Sequence, residues 1–340
     1  TLDEFIAQLS YNDLIYMFRG EGMCSPKVTP GTAAAFGGVT DSLRNFGIPV
    51  ACCADGPSGI RMDCGTKAFS LPNGTALGCT FNVDLVKKLY KMTGIELCKN
   101  KIDSLLGPGM NIHRNPLNGR NFEYISEDPI LTGKISAAQV LGIQESGATA
   151  TIKHFCANNQ ETSRRFVDSI VSERALREIY LKGFEIAIKE GKAKSIMTSY
   201  NEVNGVYANE NEHLLKEILR EEWGFDGLVV TDWGASNDHV KGVACRSNLE
   251  MPAPGLDAAR EVLAALEEGR LSMEELDQCT DDLLDAVLTL AKNREKRARE
   301  FEREAHHTLA KKAARESIVM LKNEEKPFQL LPLKENTRVA

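Results

Sequence analysis

Short apolar runs recur along the chain, each followed by polar or glycine-rich residues and then by a stretch whose apolar positions fall every three to four residues. The runs are PVACCAD (49–55), SLLGPGMNI (104–112), ATATIKHF (148–155), SIMTSYN (195–201), GLVVTDW (227–233) and SNLEMP (247–252). VSERALREIYLKGFEIAIKEG (171–191) is the clearest of the helical stretches between them. Strands that alternate with helices in this way build a parallel sheet with crossover connections.

The ends of the runs carry the polar residues that matter. Asp55, the Lys153–His154 pair, Tyr200 and Asp232 each close a strand at its C-terminal end. In a (β/α)8 barrel those ends converge on one face, where such barrels place their sites. A doubly wound open sheet gives the same alternation, but it gathers ligands at one switch point rather than at five strand ends. The expected fold class is therefore α/β, a TIM-like (β/α)8 barrel, incomplete or distorted. Six or seven strands can be named; the eighth is unassigned, because after about residue 255 the pattern is helical.

The remaining pattern divides the chain. Helices are expected at about 256–269 and 273–292, and another over HHTLAKKAARESIVMLKNE (306–324), followed by a turn, LLPLKEN, and a strand start, TRVA (337–340). A lone strand start needs neighbours to pair with. Residues 1–300 are thus read as the barrel, and residues 301–340 as a linker with the first helix and strand of a second α/β domain.

Composition narrows the function. With 340 residues, 42% of them apolar and 26% charged, the chain can bury a large core. No apolar run reaches membrane-spanning length, and TLDEFIAQLS lacks the features of a signal peptide. A net charge of −7 with scattered basic residues argues against nucleic-acid or membrane partners. The mixed-sign run REKRAREFERE (294–304) reads as a solvated helix face. Nine cysteines without a C-x-x-C pair read as reduced thiols, so a cytoplasmic location is expected. No histidine spacing suits a metal, no phosphate-cradling loop is complete, and no cofactor is expected. Homo-oligomer formation stays open.

Taken one at a time, the strand-end residues have two readings each. Asp232, after LVVT, is a desolvated carboxylate on a rigid element, suited to attack on an anomeric carbon, or a helix N-cap. Trp233 offers an aromatic face to a sugar. Lys153 and His154 can donate to vicinal hydroxyls, or be structural. Asp55 is a ligand or a turn former in Asp-Gly-Pro. Arg120 and Arg164 are ligands or surface ion-pair partners. Glu161 and Glu202 follow strand ends and are internal candidates for a second carboxyl, or loop anchors.

Five longer motifs carry a resemblance: DGPSGIR (55–61), LGPGMNIHRNPLNGRNFEYISEDP (106–129), KHFCANNQETSR (153–164), MTSYNEVNG (197–205) and VVTDWGA (229–235). In this order they resemble the N-terminal domain of the family 3 glycoside hydrolases, in particular the β-glucosidases. The resemblance implies a distorted barrel and exo-acting hydrolysis of terminal, non-reducing β-D-glucosyl residues with retention of configuration. It makes Asp232 the nucleophile. It sets Asp55, Arg120, Lys153, His154 and Arg164 around the glycone, Met197 and Tyr200 near the nucleophile, and Trp233 at the leaving-group edge.

A retaining mechanism needs a second carboxyl as acid/base. The resemblance places it as a glutamate in a second domain or chain, outside residues 1–340. The Asp-His dyad of the related β-N-acetylhexosaminidases is missing from the loop CANNQETSRRF. Competing expectations are a β-xylosidase of the same family, a non-catalytic sugar-binding barrel, and a lyase or aldolase with a Schiff base on Lys153.

Overall fold

The computed structural model describes residues 1–252, 255–297, 300–324 and 331–338. Six strands form the main sheet, in the order β1 (Ala34–Gly37), β2 (Val50–Asp55), β3 (Ser104–Gly109), β4 (Thr149–Phe155), β6 (Ser195–Thr198) and β9 (Leu228–Thr231). From β2 to β9 every pairing is parallel, while β1 runs antiparallel to β2. Two short strands, β5 (Asp168–Ser169) and β7 (Glu202–Val203), join β8 (Val206–Tyr207) in a separate small sheet above the loops.

The ring closes through single bridges. Leu249 pairs with Val230 on β9, Glu250 pairs with Arg19, and Glu21 pairs with Ala35 on β1. Glu250 donates its N–H to the Phe18 carbonyl (2.7 Å), and Glu21 and Ala35 exchange both backbone bonds (2.8 and 2.9 Å). The barrel thus has eight staves. The stave missing from the sequence reading comes from the N-terminus, around Arg19–Glu21, and the four-residue β1 was also unread. Neither has the pattern of a strand: one is charged, and the other is Ala-Ala-Phe-Gly, buried throughout. SNLEMP contributes bridges rather than a regular strand.

The flanking helices follow the apolar spacing. The helix Val83–Lys99 is capped by Asn82, whose side chain accepts from Leu85 N–H (3.0 Å), and it buries Leu85, Leu89 and Leu97. It packs closely on the helix Pro129–Glu145. A Cβ on Gly94 would come within 2.8 Å of the Ile143 carbonyl oxygen, so only glycine permits that approach. The predicted helix after residue 171 runs from Glu173 to Lys189 with a π turn at Leu176–Tyr180. Those predicted after residue 255 span Leu256–Glu267 and Met273–Asn293.

Period-two alternation sorts the strand residues. Cys52, Leu105, Ile152, Ile196 and Val229 face the helices. Cys53, Leu106, Leu228 and Val230 face the bore, together with Ser104, Thr151 and Ser195, whose hydroxyls bond to one another (2.9 and 3.0 Å). These small bore residues leave a cavity of about 340 Å³ toward the N-terminal end of the strands.

Two expectations near the C-terminus differ. Arg294, its side chain still 38% exposed, and Arg297 both bind the fully buried Asp103, which also accepts from Cys52 N–H (2.7 Å). The last helix spans Arg303–Glu316 and lies against the barrel through His306, Ala310 and Ala313, and its exit, Ile318–Leu321, is exposed. The expected turn bonds Thr337 N–H to the Lys334 carbonyl (3.1 Å). Thr337 and Arg338 form no strand, and Val339 and Ala340 lie outside the described residues. No cysteine is in a disulfide. Among the described residues no helix is long and apolar enough to cross a membrane.

Candidate active site

The same alternation that puts Leu228 and Val230 in the bore aims Asp232 into its C-terminal mouth. There a cavity of about 220 Å³ is lined by Asp55, Arg120, Lys153, His154, Arg164, Met197, Asp232 and Trp233. Of the residues named from the sequence, Tyr200, Glu161 and Glu202 do not line it. Tyr200 stands behind, donating its hydroxyl to the Trp233 carbonyl (2.8 Å) and stacking under the Arg164 guanidinium (4.6 Å).

Asp232 is not a helix cap. The next helix begins at His239 and is capped by Asp238. One Asp232 oxygen accepts the Trp233 N–H (2.8 Å), and the other lies 3.7 Å from His154 Nε2. Burial raises the Asp232 pKa above its ordinary value, while the Lys153 charge and the Trp233 N–H pull the other way.

His154 is fully buried, and burial together with Arg120 and Lys153 pushes its pKa well below 6.5, so the ring is neutral. Asn158 donates to the Tyr124 hydroxyl (3.1 Å), which in turn meets His154 Nδ1 (3.2 Å). Nδ1 also lies 3.2 Å from Asn111 Oδ1: a proton on Nδ1 satisfies that acceptor and leaves Nε2 accepting toward the cavity, whereas a proton on Nε2 lets Tyr124 donate to Nδ1 and makes His154 a donor there.

Lys153 donates to Asp55 (2.6 Å) and lies 3.7 Å from Glu123. Its burial disfavours the charge, but the two carboxylates outweigh that and raise its pKa, while Lys153 lowers that of Asp55 against burial. A permanently charged lysine is a donor to hydroxyls rather than a Schiff-base nucleophile.

Glu123 is the residue the sequence reading missed. It is buried and takes a two-pronged bond from Arg120 (2.7 and 2.9 Å), fixing that guanidinium at the cavity wall. Its signal lay inside the motif NGRNFEY, three residues after Arg120. Arg61, Asp63 and Met23 also line the cavity unpredicted, with Arg61 bonded to Asp63 (3.0 Å).

Three of these carboxyls are ion-paired. Asp55 is ionised against Lys153, Glu123 is held by Arg120, and Asp63 by Arg61. Glu161 anchors Arg164 (2.7 Å) and Asn158 (3.2 Å), and Glu202 lies in the small sheet, so neither lines the cavity. The arrangement therefore offers one desolvated carboxylate surrounded by donors, which suits a polyhydroxylated ring.

Known proteins resemble this chain over most of its length. The profile of the glycosyl hydrolase family 3 N terminal domain matches residues 32–307. A beta-glucosidase of Ruminococcus albus is 55% identical over 300 residues, 85% of this chain and 32% of the relative. An exo-alpha-(1->6)-L-arabinopyranosidase of Bifidobacterium longum is 40% identical over 302 residues, 86% of this chain and 39% of the relative. Among solved structures, beta-glucosidase 3B from Thermotoga neapolitana in complex with glucose superposes with a TM-score of 0.90 at 40% identity, covering 98% of this chain and 48% of that one. A beta-glucosidase from Paenibacillus barengoltzii gives 0.81 at 53% identity, covering 86% and 34%. The chain spans less than half the length of these relatives.

Proposed function

This chain belongs to glycosyl hydrolase family 3, whose N-terminal domain it contains, and we propose that it carries the nucleophile and the glycone pocket of a retaining, exo-acting β-glucosidase. The observation that supports this most is Asp232: an uncapped, buried carboxylate at the mouth of the barrel, facing a cavity sized for one sugar ring.

In this reading Asp232 attacks the anomeric carbon, the bond to the leaving oxygen breaks, and a glycosyl ester forms. Water then cleaves the ester and restores the carboxylate. Asp55, Arg120, Lys153, His154 and Arg164 hold the ring hydroxyls, Met197 packs beneath, and Tyr200 fixes Trp233 at the exit. Proton transfer to the leaving oxygen and from the incoming water falls to a carboxyl beyond residues 1–340, because those at the cavity are ion-paired. Residues 301–340 would lead to the domain or partner chain that supplies it.

The test uses the chain alone. Residues 1–340 should release 2,4-dinitrophenolate from its β-glucoside, a leaving group that needs no proton, but turn over an alkyl β-glucoside very slowly. Fast turnover of both would place the acid/base inside this chain, and reaction with neither would overturn the assignment. Parallel β-xylosides and α-L-arabinopyranosides fix the glycone, since one hydroxymethyl group shifts selectivity by only about 1–3 kcal/mol. Cytoplasmic residence belongs to the same reading, and cell fractionation tests it.

A further inference from the structure

The mouth of the cavity is chemically two-sided. Going round the barrel, the sector from β3 to β6 supplies the polar Arg120, Lys153, His154 and Arg164 together with the apolar Leu106 and Met197. Beyond Asp232 at the end of β9, the wall continues through the two bridging staves to β1 with Trp233, Met23, Gly31 and Ala33, none of them charged. Met23 is 51% exposed at this rim.

Met23 is held in place. Gly234 donates its N–H to the Met251 carbonyl (2.6 Å), which ties the Trp233 loop to the stave beside it. Gly22 packs on the next residue of that stave, where a Cβ would come within 2.9 Å of Pro252. Beyond Met23, Glu21 accepts from Ser25 Oγ (2.6 Å) and pairs with Lys27, closing the loop on itself. Trp233 is fixed in turn by Tyr200 (2.8 Å) and Arg165 (3.2 Å) at its carbonyl. The Trp233 loop and the Gly22–Met23 segment are thus both anchored beside the Met251–Pro252 stave, and both side chains line the cavity.

We propose that Met23 is a specificity-determining residue of the leaving-group site, forming with Trp233 a platform that favours aryl and other flat apolar aglycones. This rests on the glycosidase reading above. The polar sector takes the glycone, so the aglycone leaves along the apolar one, where a polarisable thioether meets an aromatic edge.

The test compares two substrates that need no protonation of the leaving group: 2,4-dinitrophenyl β-D-glucoside, which carries a ring, and β-D-glucosyl fluoride, which does not. The readout is the ratio of their kcat/KM values. Met23→Ala should lower that ratio about two- to tenfold, the span of sulfur–aromatic contacts. Met23→Leu, which keeps the apolar rim, should hold it within about twofold. A ratio that Met23→Ala leaves unchanged, including one where both substrates slow equally, overturns the assignment of Met23. If the unsubstituted protein reacts with neither substrate, the glycosidase reading itself falls, and this inference with it.

Discussion

Glu123 is buried between two cations, and neutralising it should be costly in two separable ways. Its carboxylate meets Lys153 at 3.7 Å and Arg120 at 2.7 and 2.9 Å, with its side chain only 8% exposed. At an effective dielectric near 20, unit charges that far from Lys153 attract by about 4 kcal/mol, and the arginine pair lies closer still. The desolvation of the carboxylate offsets much of this in the folded protein, so the pair is no great net stabiliser. Removing one partner is different, because Arg120 and Lys153 remain buried and partly unpaired. Glu123→Gln should therefore lower unfolding free energy by about 3–5 kcal/mol. It should also free the Arg120 fork from its alignment at the cavity wall. A misaligned charged donor loses about 1.5–3 kcal/mol of contact with a sugar hydroxyl, or roughly ten- to hundredfold in kcat/KM. Urea denaturation at pH 7 measures the first effect and dinitrophenyl glucoside kinetics the second. A stability loss under about 1 kcal/mol together with unaltered kinetics would refute the view that Glu123 organises the glycone wall.

Three further outcomes follow from the same geometry. Lys153 opposes the burial that raises the Asp232 pKa, so Lys153→Met should move the acidic limb of kcat/KM to higher pH, as well as lowering kcat/KM about ten- to hundredfold; a pH–rate profile decides it. His306 is buried against Phe69, its ring centroid 4.3 Å away, and burial lowers its pKa from 6.5 to about 4. The unfolded chain binds that proton first as pH falls, so up to about 3 kcal/mol of stability is present above pH 6.5 and is lost between 6.5 and 4; urea midpoints of His306→Phe should lack that component. Asp103 holds Arg294 (2.8 Å), Arg297 and Cys52 N–H (2.7 Å) from a fully buried position, and Asp103→Ala should cost about 3–5 kcal/mol in the same assay.

The parts legible in the sequence share a physical cause. Strands β2, β3, β4, β6 and β9 have β-branched or apolar runs because both faces are buried, and polar residues at or just past their ends stand out against that background. This is why Asp55, Lys153, His154 and Asp232 could be placed from sequence. The stave at Arg19–Glu21 and the strand Ala34–Gly37 carry no such contrast, since a bridge uses backbone groups that any residue supplies. The mixed-charge run from Arg294 is largely exposed, as its pattern implies, but nothing local shows that Asp103, nearly two hundred residues earlier, is buried beneath Arg294 and Arg297. Glu123 and Met23 required the tertiary fold. One acts by holding another residue, and the other is an apolar side chain whose role comes only from which rim it occupies.

The central claim is that Asp232 forms a covalent bond to the sugar. Incubation with 2,4-dinitrophenyl 2-deoxy-2-fluoro-β-D-glucoside slows hydrolysis of the intermediate enough for the labelled protein to be digested and its peptides sequenced by mass spectrometry. One fluoroglucosyl ester is expected, located on Asp232 within GLVVTDW, with no label on Asp232→Asn. A label on Asp55, Glu123 or Glu161, or an unlabelled protein that still consumes the reagent, would contradict it.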